Sequence, residues 1–293
     1  VFFRPRHQLF AFILLATLGL AACNGHKATV VPGLQVNKKS AEMGTPIEVT
    51  YSFSPKKDYV ALAKDMTVFT HFLDPKRNIR FQDDHEPPFK TSQWRPNGNY
   101  HYTRTVFVPK NIPAGEYNIE MGIYSSATGE RLQLDARDVS HRSYDMGKLL
   151  IEIPPQEPII QYSKGWYDPE SETSDPSVRW RWTKKEAVLK VRNPGSDALL
   201  YFKGDSNPQF FKGQPQQVTI SVGNNVIETF PITSNQPFMK KYEVPKAKLG
   251  NDKMLEIKVS VDISFVPAQD NVSADTRELG MRVYELYLGK ASD

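Results

Sequence analysis

Three groups of residues have the types and spacing to do chemistry. The first is the run Gln82-Asp83-Asp84-His85-Glu86, closed by Pro87-Pro88. Carboxylates and an imidazole are the donors a divalent cation needs. Neighbours on an extended chain point to opposite faces, however, so this run closes around one ion only in a special loop. Acids that serve backbone amides and nearby arginines are the simpler reading. The second group is aromatic: Trp166 and Tyr167 in Lys164-Gly165-Trp166-Tyr167-Asp168, and Trp180 and Trp182 in Val178-Arg179-Trp180-Arg181-Trp182. On a strand both tryptophans of the second run share one face and both arginines the other. Flat rings stack on sugar rings, and guanidinium forks grip carboxylates. Large rings also plug cores and domain junctions, which is the first expectation for Trp180, Trp182 and Trp166. The third group is Asp275, Arg277 and Glu278, before Gly280, spaced for local ion pairs that fix a corner or for the edge of a ligand site.

Other chemistry has little to work with. His71 and His101 sit in alternating runs and read as half-buried structural residues. No Gly-x-Ser-x-Gly, HExxH, EF-hand or paired Cys/His spacing occurs, so no catalytic residue, metal or cofactor is assigned. A hydrolase built on carboxylates that meet only in space would leave no such spacing, and it stays a minor alternative.

The elements that must position these residues are strands. Ile47–Phe53, Thr67–Leu73, Tyr100–Val108 and Tyr117–Tyr124 alternate apolar and polar residues, and turn residues such as Pro96-Asn97-Gly98 and Pro113-Ala114-Gly115 separate them. Glu186–Arg192, Gln217–Gly223, Glu256–Phe265 and Arg282–Leu288 repeat the pattern. One weak helix candidate is Ala61–Lys64. Ile153-Pro154-Pro155-Gln156-Glu157-Pro158 stiffens the chain between the two sets. The predicted class is therefore all-β, with two tandem antiparallel β-sandwiches, an Ig-like one over 32–153 and a jelly-roll-like one over 161–293, joined by a linker at 154–160.

Before them, Arg4 and Arg6 precede an uncharged apolar segment from Leu9 to Ala22. Those 14 residues would make a helix of roughly 21 Å, short of the ~30 Å hydrocarbon core of a bilayer. A cleavable secretory signal over 1–22 is the expectation. Its loss takes two arginines from a formal charge of +4, leaving 35 basic against 33 acidic side chains. A net of +2 with no basic stripe argues against nucleic acid as a partner. At 39% hydrophobic and 11% aromatic the chain is too apolar for disorder.

The only cysteine, Cys23, follows Leu20-Ala21-Ala22. This resembles the lipobox of bacterial lipoproteins. The resemblance implies cleavage before Cys23, fatty acyl chains on its sulfur and new N-terminus, and a membrane-lipid anchor followed by a tether over 23–31. Asn24, in place of the aspartate that commonly retains such proteins in the inner membrane, favours the outer membrane of a Gram-negative envelope. A single thiol also excludes an intrachain disulfide.

Val68–Asp74, Gln82-Asp83-Asp84-His85, Trp94-Arg95-Pro96, Gly115-Glu116-Tyr117 and Gly122-Ile123-Tyr124 resemble a β-sandwich module of bacterial envelope proteins, also appended to some multispanning membrane glycosyltransferases. Gly165-Trp166-Tyr167, Arg179-Trp180 and Asp275–Gly280 are similar to a second module that accompanies glycan-handling enzymes of surface-polysaccharide systems. The resemblance implies a non-enzymatic envelope protein that binds or organises polysaccharide or a glycan-handling partner, with Trp166, Tyr167, Arg179, Trp180, Trp182, Asp275 and Arg277 as ligand residues. It brings no transferase activity, because the membrane-spanning catalytic part of those transferases is not among these residues. An assembly role, in which sheet edges contact other envelope proteins, is the alternative.

Overall fold

The structure is a computed structural model that describes residues 28–155, 159–176, 178–270 and 272–291. The signal segment, Cys23 and tether residues 24–27 lie outside the described residues. No helix among the described residues is long and apolar enough to cross a membrane.

Eight strands make the first body: β1 (Val30–Val36), β2 (Ser40–Glu42), β3 (Pro46–Pro55), β4 (Thr67–Leu73), β5 (Ile79–Gln82), β6 (Tyr100–Phe107), β7 (Gly115–Tyr124) and β8 (Tyr144–Glu152). One sheet runs β1-β3-β6 and the other β2-β8-β7-β4-β5. All pairings are antiparallel except β2 with β8, which is parallel. Period-2 patterning explains the packing. Ile47, Val49, Tyr51 and Phe53 of β3 are wholly buried and face Val68, Phe72, Ile119 and Ile123 of the other sheet in one core. Trp94 joins this core. It is stacked 5.0 Å from Phe53 and 5.2 Å from Tyr100 and donates its indole N–H to the Phe89 carbonyl at 3.2 Å.

The β4–β5 turn is set by Asp74. Its Oδ1 accepts from the backbone N–H groups of Lys76 and Asn78, both at 2.9 Å, and its Oδ2 accepts from Arg80 Nε at 2.8 Å. Burial alone would raise the Asp74 pKa, but the bonds from Asn78 and Arg80 hold it at about 2.

The second body follows: β9 (Ile160–Trp166), β10 (Glu170–Ser171), β11 (Arg179–Arg192), β12 (Ala198–Asp205), β13 (Gln216–Val222), β14 (Asn225–Ile232), β15 (Phe238–Val244), the single turn α1 (Lys246–Leu249), β16 (Met254–Val261) and β17 (Arg282–Lys290). Seven strands run β14-β13-β16-β11-β17-β12-β15, with β9 and β10 on β11. The end strands β14 and β15 share no ladder but meet through side chains. Glu228 accepts from Lys240 at 3.0 Å and from Tyr242 at 2.6 Å, and Phe230 lies 5.1 Å from Phe238. The sheet thus curls into a nearly closed barrel around Leu189, Leu200, Phe202, Ile220, Ile257 and Val259.

Several expectations change. Ala61–Lys64 forms no helix. The tether and linker each give residues to strands, since β1 begins at Val30 and β9 at Ile160. Glu256–Phe265 is strand only to Val261, after which Phe265 makes a single bridge to Leu279. Among the described strands, those up to Glu152 pair with one another and those from Ile160 likewise.

Candidate functional site

The acid-rich run of the first body folds into a brace. Asp83 Oδ2 accepts from Tyr51 OH at 2.9 Å and Arg104 Nε at 2.7 Å, and Oδ1 accepts from Arg104 Nη2 at 2.8 Å. His85 Nδ1 lies 3.2 Å from Asp83 Oδ2, and its Nε2 lies 2.7 Å from Tyr102 OH. Burial works against the Asp83 charge, yet the bonds from His85 and Arg104 hold its pKa far below the usual carboxylate range. Asp84 turns the other way, toward His71 and Tyr124, as alternation on an extended chain requires. Among the described residues no three such side chains converge to hold a metal.

The second body carries a different arrangement. Trp180 and Trp182 project from one face of β11, and Arg181 and Thr183 from the other. Trp182 pairs in register with Arg282 of β17. The Arg282 guanidinium lies 5.1 Å from the Trp180 ring, 5.9 Å from Trp182 and 5.7 Å from Tyr284. Its Nε and Nη2 fork onto buried Asp205 at 2.7 and 2.6 Å, and Tyr284 OH donates to Asp205 Oδ2 at 2.8 Å. Burial opposes the Arg282 charge, but Asp205 holds its pKa above the ordinary value. A register shift opposite Lys203 and Gly204 leaves Tyr284 without a ladder partner on β12. Such a bulge re-aims a side chain, and here Tyr284 joins Arg282.

The band continues through β10. Glu170 pairs in register with Trp180, and its carboxylate accepts from Arg277 Nη1 at 2.7 Å. Arg277 Nη2 also donates to Asp275 at 2.7 Å, and its guanidinium lies 5.0 Å from the Tyr167 ring. Tyr167 OH donates to the Glu278 carbonyl at 3.0 Å. At the other end, Phe265 lies 6.0 Å from Trp182 and is stacked by Phe210 at 4.4 Å.

The structure therefore brings together Tyr167, Trp180, Trp182, Asp275 and Arg277. It does not bring Trp166 or Arg179 to them. Trp166 pairs with Thr183, on the opposite face of β11 from Trp180 and Trp182. Its indole N–H donates to the Val188 carbonyl at 2.9 Å, and its ring packs on Tyr162 and the second core. Arg179 is exposed, opposite Ser171. Trp180 and Trp182 belong to neither hydrophobic core, so they do not plug one. The guanidinium groups that do reach the band, Arg277 and Arg282, are already engaged by Asp205, Asp275 and Glu170.

Sequence reasoning missed Arg282, Tyr284, Asp205, Glu170 and Phe265. One signal was available: Arg282 and Tyr284 stand at i and i+2 on the last strand, the spacing of Trp180 and Trp182.

No family model matches the chain, and no curated protein matches it. Among solved structures, a Niemann-Pick type C2 protein from Japanese carpenter ant is similar at 13% identity over 42% of this chain and 93% of that one, with a TM-score of 0.27. The Pseudomonas fluorescens alkylpurine DNA glycosylase AlkC matches at 14% identity over 42% of this chain and 31% of that one, TM-score 0.27. The sporulation control protein Spo0M of Bacillus subtilis matches at 9% identity over 74% of this chain and 91% of that one, TM-score 0.25. Likenesses this low carry no argument about function.

Proposed function

We propose that the chain is a lipid-anchored, non-enzymatic protein of the bacterial envelope whose second body binds glycan on the band from Tyr167 through Trp180 and Trp182 to Tyr284. One observation carries the reading. Trp180, Trp182 and Tyr284 stand around one guanidinium, Tyr167 donates its backbone N–H to the Trp182 carbonyl, and none of the four belongs to either core. Ring faces of this kind are a platform for sugar rings. Both guanidinium groups of the band are already matched by carboxylates, which favours neutral sugars over acidic ones. The anchor rests on Cys23 and the Leu20-Ala21-Ala22 before it. One acyl chain binds a bilayer only marginally, and two or more hold stably.

Two results follow. Mass spectrometry of the protein recovered from membranes is expected to find Cys23 as an acylated N-terminal residue. An unmodified thiol there removes the anchor. Titration with neutral envelope polysaccharides, followed by tryptophan emission, is expected to saturate. Trp182→Ala should weaken binding at least tenfold while moving the unfolding midpoint little, since Trp182 lies outside both cores. Equal affinity in the variant would discard the band as the binding face. The assembly reading has its own support in the edge strands β1 and β6, each bonded on one side only. A defined protein crosslink in cells, with no sugar binding, would favour it.

A further inference from the structure

We propose that the end of the first body at which β1 begins is a membrane-facing tip. Its exposed Val60 and Phe89 sit in the headgroup layer of an anionic bilayer, and the basic side chains beside them meet the lipid phosphates. The inference rests on the lipid-anchor reading above and adds which face of the protein that anchor brings to the bilayer.

Chain geometry selects the end. Thr29, just before β1, is six residues after Cys23. Six residues reach about 20 Å when fully extended, so acyl chains on Cys23 keep this end within that distance of the lipid. The chain leaves the body at the other end. There the Glu152 carbonyl that closes β8 accepts from Met43 N at 3.0 Å, and Gly44 N donates to the Val108 carbonyl at 2.8 Å, one residue past β6. The second body touches that exit end, with Tyr201 OH 3.4 Å from Glu48 Oε1 and the Tyr201 ring 6.2 Å from Phe107. Between the two ends runs β3, whose 10 residues span roughly 33 Å. The first body thus stands between the anchor and the second body.

Two segments build the tip, and bonds tie both to the start of β1. Lys56 N donates to the Thr29 carbonyl at 2.7 Å, and Asn97 N donates at 2.9 Å to the carbonyl of Pro55, the register partner of Val30. The segments also hold each other. Met66 N donates to Thr91 Oγ1 at 2.8 Å, and Asp65 Oδ1 accepts from Ser92 N at 3.0 Å and Ser92 Oγ at 2.7 Å. Tyr59 turns into the core, yet Val60 beside it is 80% exposed, the highest fraction among the exposed large apolar side chains of the described residues. Phe89 is 47% exposed although its carbonyl is fixed by the Trp94 indole. A bonded scaffold therefore holds both side chains in solvent.

The charge around them is positive. Residues 56–66 and 89–97 carry five basic side chains against two acidic ones. Lys56 is matched by Asp135 at 2.6 Å, and Lys90 lies 3.8 Å from Asp65. Lys57, Lys64 and Arg95 are exposed. Apolar side chains flanked by basic ones suit a surface that settles on anionic lipid. The attraction acts within about 8 Å at physiological salt, a range the short tether keeps within reach.

The test uses the full acylated chain in vesicles, with an environment-sensitive NBD maleimide as reporter. An acylated Cys23 has no thiol to label, so Val60→Cys presents the one reactive thiol. Val226→Cys is the control, at an exposed position on β14 of the second body. In vesicles of phosphatidylglycerol and phosphatidylethanolamine, the label at 60 should shift to the blue and be quenched several-fold by headgroup-spin-labelled lipid. The label at 226 should do neither. Lys57→Glu combined with Lys64→Glu should remove most of the shift, and pure phosphatidylcholine should weaken it. A label at 60 that stays in water on the acylated chain overturns the proposal. So does equal quenching at 60 and 226, or an equal response on phosphatidylcholine. A blue shift without lipid quenching assigns the tip to a second copy of the chain and overturns it as well. The anchor reading fails separately, since maleimide uptake by the unmodified chain shows a free Cys23 thiol.

Discussion

Asp83→Ala is expected to cost the protein about 3–5 kcal/mol, the range seen when one partner of a buried ion pair is removed. The substitution strands Arg104, which lies on the same network as Tyr51, Tyr102 and His85. Arg104 keeps 38% of its side chain in solvent, and that screening places the cost near 3 kcal/mol, at the low end of the same range. Tyr51, wholly buried, loses the acceptor of its hydroxyl, which adds to the deficit. Asp83→Asn keeps an acceptor oxygen and should cost less. Urea unfolding of the three proteins measures the difference. A change in Asp83→Ala below about 1 kcal/mol, the value of an ordinary surface pair, would mean that the network braces nothing.

The same residue predicts a pH dependence. The Asp83 pKa is depressed in the folded protein. The native state therefore favours its ionised form, and the stability this adds is present above the unfolded pKa of about 3.9. It is lost as pH falls from there toward the folded value. Asp74, at about 2 against 3.8, acts in the same direction. Asp84 and Glu285, raised by burial, act oppositely and gain stability as they protonate. Between pH 5 and 2 the unfolding midpoint of Asp83→Asn should accordingly fall less steeply than that of the unmodified protein. Parallel curves would contradict the depressed pKa.

How far the sequence revealed this fold depends on how each strand is wetted. β3, β13 and β16 bury one face more than the other, so they alternate and could be read. β12 could not. Leu200, Tyr201 and Phe202 are all buried in succession. Tyr201 points away from the barrel core, toward Phe107 and Glu48 of the first body. A strand covered on both faces loses the period-2 signal. Ala61–Lys64 has good helix formers, but four residues do not repay helix nucleation. The only α-turn among the described residues, Lys246–Leu249, follows Pro245, whose ring fixes the entry angle. The band was half legible. Alternation alone places Trp180 and Trp182 on one face. Their companions Arg282 and Asp205 meet across 77 positions of sequence, and only the strand order brings them together.

Gly165→Ala is the other substitution expected to be severe, and a second glycine gives its control. Gly165 has φ +75°, and a Cβ there would fall 1.9 Å from the Glu186 carbonyl oxygen and 2.9 Å from the Ala187 Cα. These are backbone atoms of β11, so no side chain can swing aside. The left-handed conformation alone costs an L-residue about 1–2 kcal/mol. The clash adds to this by forcing β9 away from β11, and a total beyond about 4 kcal/mol belongs to the exceptional class of single substitutions. Gly223 also has positive φ, at +56°, but its Cβ would meet nothing within 4 Å. Gly223→Ala should therefore cost only the conformational part, about 1–2 kcal/mol. Chemical unfolding separates the two, and tryptophan emission locates the damage. Trp166, next to Gly165, donates to the Val188 carbonyl of β11, so parting the strands breaks that bond and exposes the ring. Because β11 also carries Trp180 and Trp182, Gly165→Ala should weaken the glycan binding proposed for that face without replacing any residue of the band. Equal costs for the two glycines would show that β9 does not press on β11, and the band would then need another support.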